Sequence, residues 1–113
     1  MVDKKGIVEL SVGGVNHSTT KGTLTKDKGS KLYRMFADGE DLIKLDSGKY
    51  FIDRDGECFK YVLEYLRNPD EEYINYDAER TNKILKEALF FGLKGFEKNI
   101  REALPVLTQE VLN

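Results

Sequence analysis

The sequence predicts an α+β domain in which a small N-terminal sheet is covered by helices. Three observations carry that expectation. Val8, Leu10 and Val12 alternate with Glu9 and Ser11, the period-two pattern of a strand with one buried face. From Asp55 onward the apolar spacing lengthens to that of amphipathic helices. No alternation of strand, helix and strand, of the kind that builds a parallel doubly wound sheet, runs through the chain.

Taken in order, the first strand stops at Gly13-Gly14, which supplies the positive φ of a tight hairpin turn. The return strand, Val15 to Thr20, is polar enough either to expose both faces to water or to reserve one for a partner. Gly22-Thr23-Leu24-Thr25 reads as a short turn, and Ser30 caps a helix with Leu32, Met35 and Phe36 on one face, ending near Asp38-Gly39. Leu42 to Leu45 and Tyr50 to Ile52 flank the turn signal Asp46-Ser47-Gly48, a second hairpin. Asp55 caps the most secure helix, where Phe59, Val62, Leu63 and Leu66 fall at i, i+3, i+4 and i+7 before Asn68-Pro69 stops it. After a polar connection from Asp70 to Asp77, Ile84, Leu85, Ala88 and Phe91 form the stripe of another helix, closed by a left-handed cap at Gly92. A last helix carries Phe96, Ile100, Ala103 and Leu104, with a break or kink expected at Pro105.

The totals set bounds on function. The length suits one domain, expected over residues 1–113 with its core from about 7 to 104, and a mixture of 40% hydrophobic and 34% charged residues is that of a globular chain. With a formal net charge of −2 there is no basic field to attract nucleic acid. Apolar runs such as Ala88-Leu89-Phe90-Phe91 fall far short of the roughly 20 residues that span a bilayer, and the first residues lack a signal-peptide core. No membrane insertion by this segment is expected. Cys58 is the only cysteine, which excludes an internal disulfide and fits a reducing compartment, so a cytoplasmic location is expected.

Candidate chemistry is sparse. His17 and Cys58, each the only one of its kind, cannot close a tetrahedral zinc site, and His17 is expected to make ordinary hydrogen bonds on its strand. Gly13-Gly14 lacks the spacing of a phosphate-binding loop. Cys58 stands in a first helical turn, where the dipole can lower a thiol pKa, yet no histidine lies nearby in sequence to act as base. No catalytic residue, metal or cofactor is expected. Asp53-Arg54-Asp55 reads as structural: Asp55 caps a helix, and Arg54 offers a planar fork for carboxylates across an interface. Tyr61 and Tyr65 fall off the main stripe of their helix, either half-buried with hydroxyls in water or amphipathic residues of an interface.

Four segments resemble the potassium-channel-tetramerisation branch of BTB/POZ domains over nearly the whole chain, from Ile7 to about Leu104. Ile7 to Gly14 is similar to its opening LNVGG strand, and Thr20 with Thr23-Leu24-Thr25-Lys26 to its TxxTL turn. Tyr50 to Gly56 with Phe59, then Tyr61 to Arg67, resemble its FIDRD and ILNYLR core, and Glu87 to Leu93 its EAxYYGL helix end. The sequence departs from the pattern at Ser11, where the family has Asn, and at Asn16-His17, which replaces a basic-aromatic pair. The C-terminal His-and-Cys zinc motif of certain channel subfamilies is missing, so zinc-bridged assembly is not expected.

The resemblance implies the BTB/POZ fold and a closed homo-oligomeric ring, tetramer or pentamer, built by face-to-side contacts that are largely polar. A ring requires that one patch meet a different patch on the next copy. Asn16, Ser18, Thr20, Asp53, Arg54 and Asp55 are the expected interface residues, and Arg54→Glu is expected to weaken assembly without loss of helicity. Two functions compete: a soluble adaptor for a cullin ubiquitin ligase, or the cytoplasmic tetramerisation domain of a voltage-gated potassium channel. In the adaptor the resemblance implies contact with cullin-3 through Tyr33, Phe36, Asp38 and Glu40. An enzyme is the least favoured class.

Overall fold

Alternation along the first two strands produces the hairpin it predicts. In the computed structural model, which describes residues 6–73 and 77–112 with side chains as far as residue 103, β1 (Ile7–Val12) and β2 (Val15–Thr20) pair antiparallel. The register runs from Ile7 opposite Thr20 to Val12 opposite Val15. Gly13 and Gly14 make the turn with φ of 56° and 92°, values that cost a residue with a Cβ about 1–2 kcal/mol. The expected turn at Gly22 to Thr25 is instead a single helical turn, α1 (Lys21–Leu24), because the Thr20 hydroxyl accepts from the Thr23 amide at 3.1 Å and caps it. Leu24 is thereby carried into the core.

Helix α2 (Lys31–Asp38) begins where Ser30 accepts from the Tyr33 amide and ends at Gly39 in the left-handed region. Leu32, Met35 and Phe36 are its buried face. The second hairpin follows, with β3 (Ile43–Lys44) antiparallel to β4 (Tyr50–Ile52) around the expected turn. Strand β4 then lies parallel to β1, with Leu10 opposite Tyr50 and Val12 opposite Ile52, so the sheet order is β2-β1-β4-β3. A parallel pair needs a long crossover, and the segment containing α1 and α2 supplies it.

Helix α3 (Gly56–Arg67) packs on the inner sheet face through Phe59, Val62, Leu63 and Leu66. Helix α4 (Ala78–Phe91) packs on α3 and is closed by Gly92 at φ 66°, as its sequence predicts. Helix α5 (Lys94–Leu112) packs on α4, buries Phe96 and Ile100 and continues through Pro105, so no break occurs there. Ala103 is half-buried, whereas the side chains of Leu104 and Pro105 lie outside those described, as does the middle of the connection before α4.

Two glycines let backbone meet backbone where strand, turn and helix converge. A Cβ at Gly56 would overlap the Val12 carbonyl and the Val15 side chain, and one at Gly13 would overlap the Arg54 carbonyl. The Gly13 amide donates to the Ile52 carbonyl at 2.8 Å, tying the first hairpin to the end of β4. The segment from Asp53 to Asp55 is thus fixed against the β1–β2 turn.

Candidate functional site

Pairing and alternation decide which side chains share each sheet face. Leu10, Val12, His17, Thr19 and Ile52 face the helices, while Glu9, Ser11, Asn16, Ser18, Thr20, Ile43 and Phe51 lie on the opposite face. That outer face is open: Glu9, Asn16, Ser18, Thr20 and Ile43 are exposed, and Ser11 and Phe51 are half-buried. The polar strand therefore has one face toward the core and one open, so of the two readings its composition allowed, the one that exposes both faces to water does not hold. Cross-strand bonds order the open side, Ser18 donating to a Glu9 carboxylate oxygen and the Lys49 ammonium to Asn16 Oδ1 at 3.0 Å.

His17 makes the ordinary bond expected of it, its Nε2 lying 2.8 Å from the Gly56 carbonyl oxygen, with the ring edge-on to Phe59. Asp55 caps α3, accepting from the amides of Glu57 and Cys58 at 3.0 and 3.2 Å. Asp53 is exposed beside it. Arg54 corrects a detail of the expectation: its fork is taken by Glu87 of the same chain, with Nε and Nη2 donating to the two carboxylate oxygens at 3.0 and 2.9 Å. The guanidinium also lies over the Phe90 ring, 4.1 Å from its centroid, and Phe90 and the neighbouring Leu89 are exposed on the same helix end. Arg54 thus pins α4 to the start of α3, and the corner it leaves at the surface is a fixed one.

On α2 and the loop after it, Tyr33 is half-buried and Asp38 and Glu40 are exposed, with Glu40 accepting from Arg34 Nε at 3.1 Å. Phe36 differs from these: it is buried, its ring edge-on to Tyr50, so of the four expected contact residues only Tyr33, Asp38 and Glu40 reach the surface. Cys58 is also buried, and burial, followed by the nearby Asp55 carboxylate, pushes its thiol up to about 11. Desolvation of the thiolate outweighs the helix-dipole effect that its position suggested. Among the described residues no group of three or more His, Cys, Asp or Glu is placed to hold a metal ion, and no helix is long and apolar enough to cross a membrane.

The sequence that forms this sheet and these helices is matched by the family profile described as BTB/POZ domain, over residues 8–99. The chain belongs to the BTB/POZ family, in its potassium-channel-tetramerisation branch. It is 33% identical over 105 residues to the human BTB/POZ domain-containing protein KCTD14, an alignment that takes in 93% of this chain and 39% of that protein. The chain therefore spans well under half the length of that relative. The family is one of protein-interaction domains that self-associate, and that much defines the class of function here.

Two site features escaped the sequence reading. Glu87 is a carboxylate three residues beyond Ile84 on the buried stripe of α4, and a charge on an apolar stripe is the signal for a buried ion pair that would have found it. Lys26 donates to the Leu66 carbonyl at 2.7 Å and so satisfies the end of α3, a long-range bond that leaves no trace in local spacing.

Proposed function

We propose that this domain builds a closed homo-oligomeric ring, tetramer or pentamer, in which the open outer face of the sheet meets the Asp53-Arg54-Asp55 corner of the next copy. The uncovered sheet face is the observation that carries this reading, since a four-stranded sheet otherwise exposes Ile7, Ile43 and a half-buried Phe51 among its polar residues. A heterologous contact needs two unlike patches, and the face with Asn16, Ser18 and Thr20 differs from the acidic corner held rigid by the Arg54–Glu87 pair. Ser18→Arg introduces bulk and charge at the centre of the face without touching the core. Size exclusion should then show smaller particles with an unchanged circular dichroism spectrum, and an unchanged assembly would remove this face from the interface.

The ring serves as a soluble adaptor for a cullin ubiquitin ligase. The human relative is named for its BTB/POZ domain, which favours the adaptor over the assembly domain of a channel. Tyr33, Asp38 and Glu40 are the contacts assigned to cullin-3, with Phe36 supporting them from beneath. A pull-down with cullin-3 tests this part by itself: an empty bead at micromolar concentration removes the ligase role and leaves the ring standing.

A further inference from the structure

A cleft of about 70 Å³ lies between α3, the chain that follows it and α5, on the helical side of the molecule and away from the open sheet face. Its aromatic lining is Tyr61, Tyr65, Tyr73 and Phe96. Tyr65 stacks on Phe96 with centroids 4.7 Å apart and planes within 12° of parallel, and Tyr73 leans on the same ring at 6.3 Å. The Tyr73 hydroxyl bonds Thr81 Oγ1 at 3.2 Å, which fixes the orientation of its ring. Gly95 is part of the design, since a Cβ there would overlap the Tyr65 hydroxyl. Helix α5 can therefore lie close enough to α3 to form one wall of the cleft.

The polar part of the lining has one sign. Glu64, Glu71 and Glu72 contribute carboxylates, and among the described residues no lysine or arginine lines the cleft. Among the described residues none of those three carboxylates enters an ion pair. The Tyr65 hydroxyl is pushed up first by burial and then by the Asp27 and Asp70 carboxylates, which stand outside the lining of the cleft. Aromatic faces and carboxylates favour the same ligand, because a ring quadrupole attracts a cation and a glutamate pairs with it. A lysine or arginine head fits the space, and a neutral or anionic group would gain nothing from the acidic rim. The Lys60 ammonium lies 5.1 Å from the Tyr61 centroid, so an incoming cation has to share or displace that contact.

We propose that this cleft is a docking site for a cationic side chain, arginine or lysine, presented by a basic segment of a protein partner. The site lies apart from the ring contact proposed above, because none of its lining residues lies on the sheet face or the Asp53 corner. It also gives Tyr61 and Tyr65, which stand off the main stripe of α3, a common surface. Phe96 supplies the apolar floor, the tyrosines the walls and the glutamates the rim.

The test is a titration of the isotope-labelled 113-residue chain by NMR with an acetylated and amidated Gly-Arg-Gly tripeptide, its Lys counterpart and the neutral citrulline isostere, near physiological salt. Shifts confined to Tyr61, Tyr65, Tyr73, Phe96 and Asn99 are expected with the two cations and not with citrulline. Tyr61→Leu should weaken binding by about two- to fivefold, the size of an exposed cation–π contact. A triple Glu64→Gln, Glu71→Gln, Glu72→Gln variant lies on the exposed rim and retains the fold, visible as unchanged spectral dispersion, while losing the response. Shifts spread evenly over the acidic surface, an equal response to citrulline, or full binding by the triple variant would each overturn the proposal. So would a change of assembly state in the triple variant, which would make a neighbouring copy the occupant.

Discussion

Removing Glu87 asks how much of the corner's order rests on one ion pair. Its side chain is 6% exposed and that of Arg54 28%, so Glu87→Ala strands a largely buried guanidinium and should cost about 3 kcal/mol by urea denaturation, the low end for breaking a buried pair. The same geometry changes what Arg54→Glu can report: a second carboxylate beside Glu87 unfolds the corner, so lost assembly would no longer speak of the interface alone. Thr19 offers the opposite sign. Among the described residues its buried hydroxyl has no hydrogen-bond partner, and Thr19→Val should stabilise the fold by about 1–2 kcal/mol in the same measurement. Cys58 gives a pH dependence: the folded thiol keeps its proton to about 11 while an unfolded one loses it above 9.0. Unfolding then releases a proton between those values, so this group's contribution to stability is whole below pH 9.0 and declines as pH rises toward about 11. Asp55→Asn keeps a capping side chain but removes the second cause of the shift, so alkylation of the thiol should reach half-rate at a lower pH than in the parent. At this scale the caps were legible, because Ser30 and Asp55 act on amides two or three residues away. The partner of Arg54 lies 33 residues along the chain, and local reading assigned it to a neighbouring copy instead.

Elements show the same division between near and far. Helix α3 was legible to within a residue, since four apolar positions, an aspartate cap and Asn68-Pro69 all agree. Both hairpins followed from their turns. The parallel pairing of β1 with β4 was not legible, because β4 has only three residues and its register is set by packing against Gly13 and the α3 start. That junction is exposed to a direct test through Gly56→Ala, whose methyl meets the Val12 carbonyl and Val15. Since a backbone oxygen has little room to yield, the loss should be at the upper end of the roughly 1–3 kcal/mol typical of overpacking, read from the denaturation midpoint. The single turn α1 was missed for a different reason. Thr20 closes the β2 strand and caps the next helix at once, and a glycine at the second position argued for a turn.

For the whole molecule, the fold legible in the sequence leaves one sheet face without a covering layer, and family membership says that such a domain associates with itself. The sequence named the three strand residues on that face but gave no sign that Phe51 and Ile43 join them, since only the pairing of β4 with β1 and β3 puts all five side by side. Apolar residues among polar ones make the face a better interface than strand β2 by itself. The mass of the 113-residue chain in solution, by light scattering on a size-exclusion peak at micromolar concentration, tests self-association most directly. A tetramer's or pentamer's multiple of 12.9 kDa is expected, with one mass across the peak. A folded particle of 12.9 kDa itself, unchanged on concentration, would contradict self-association.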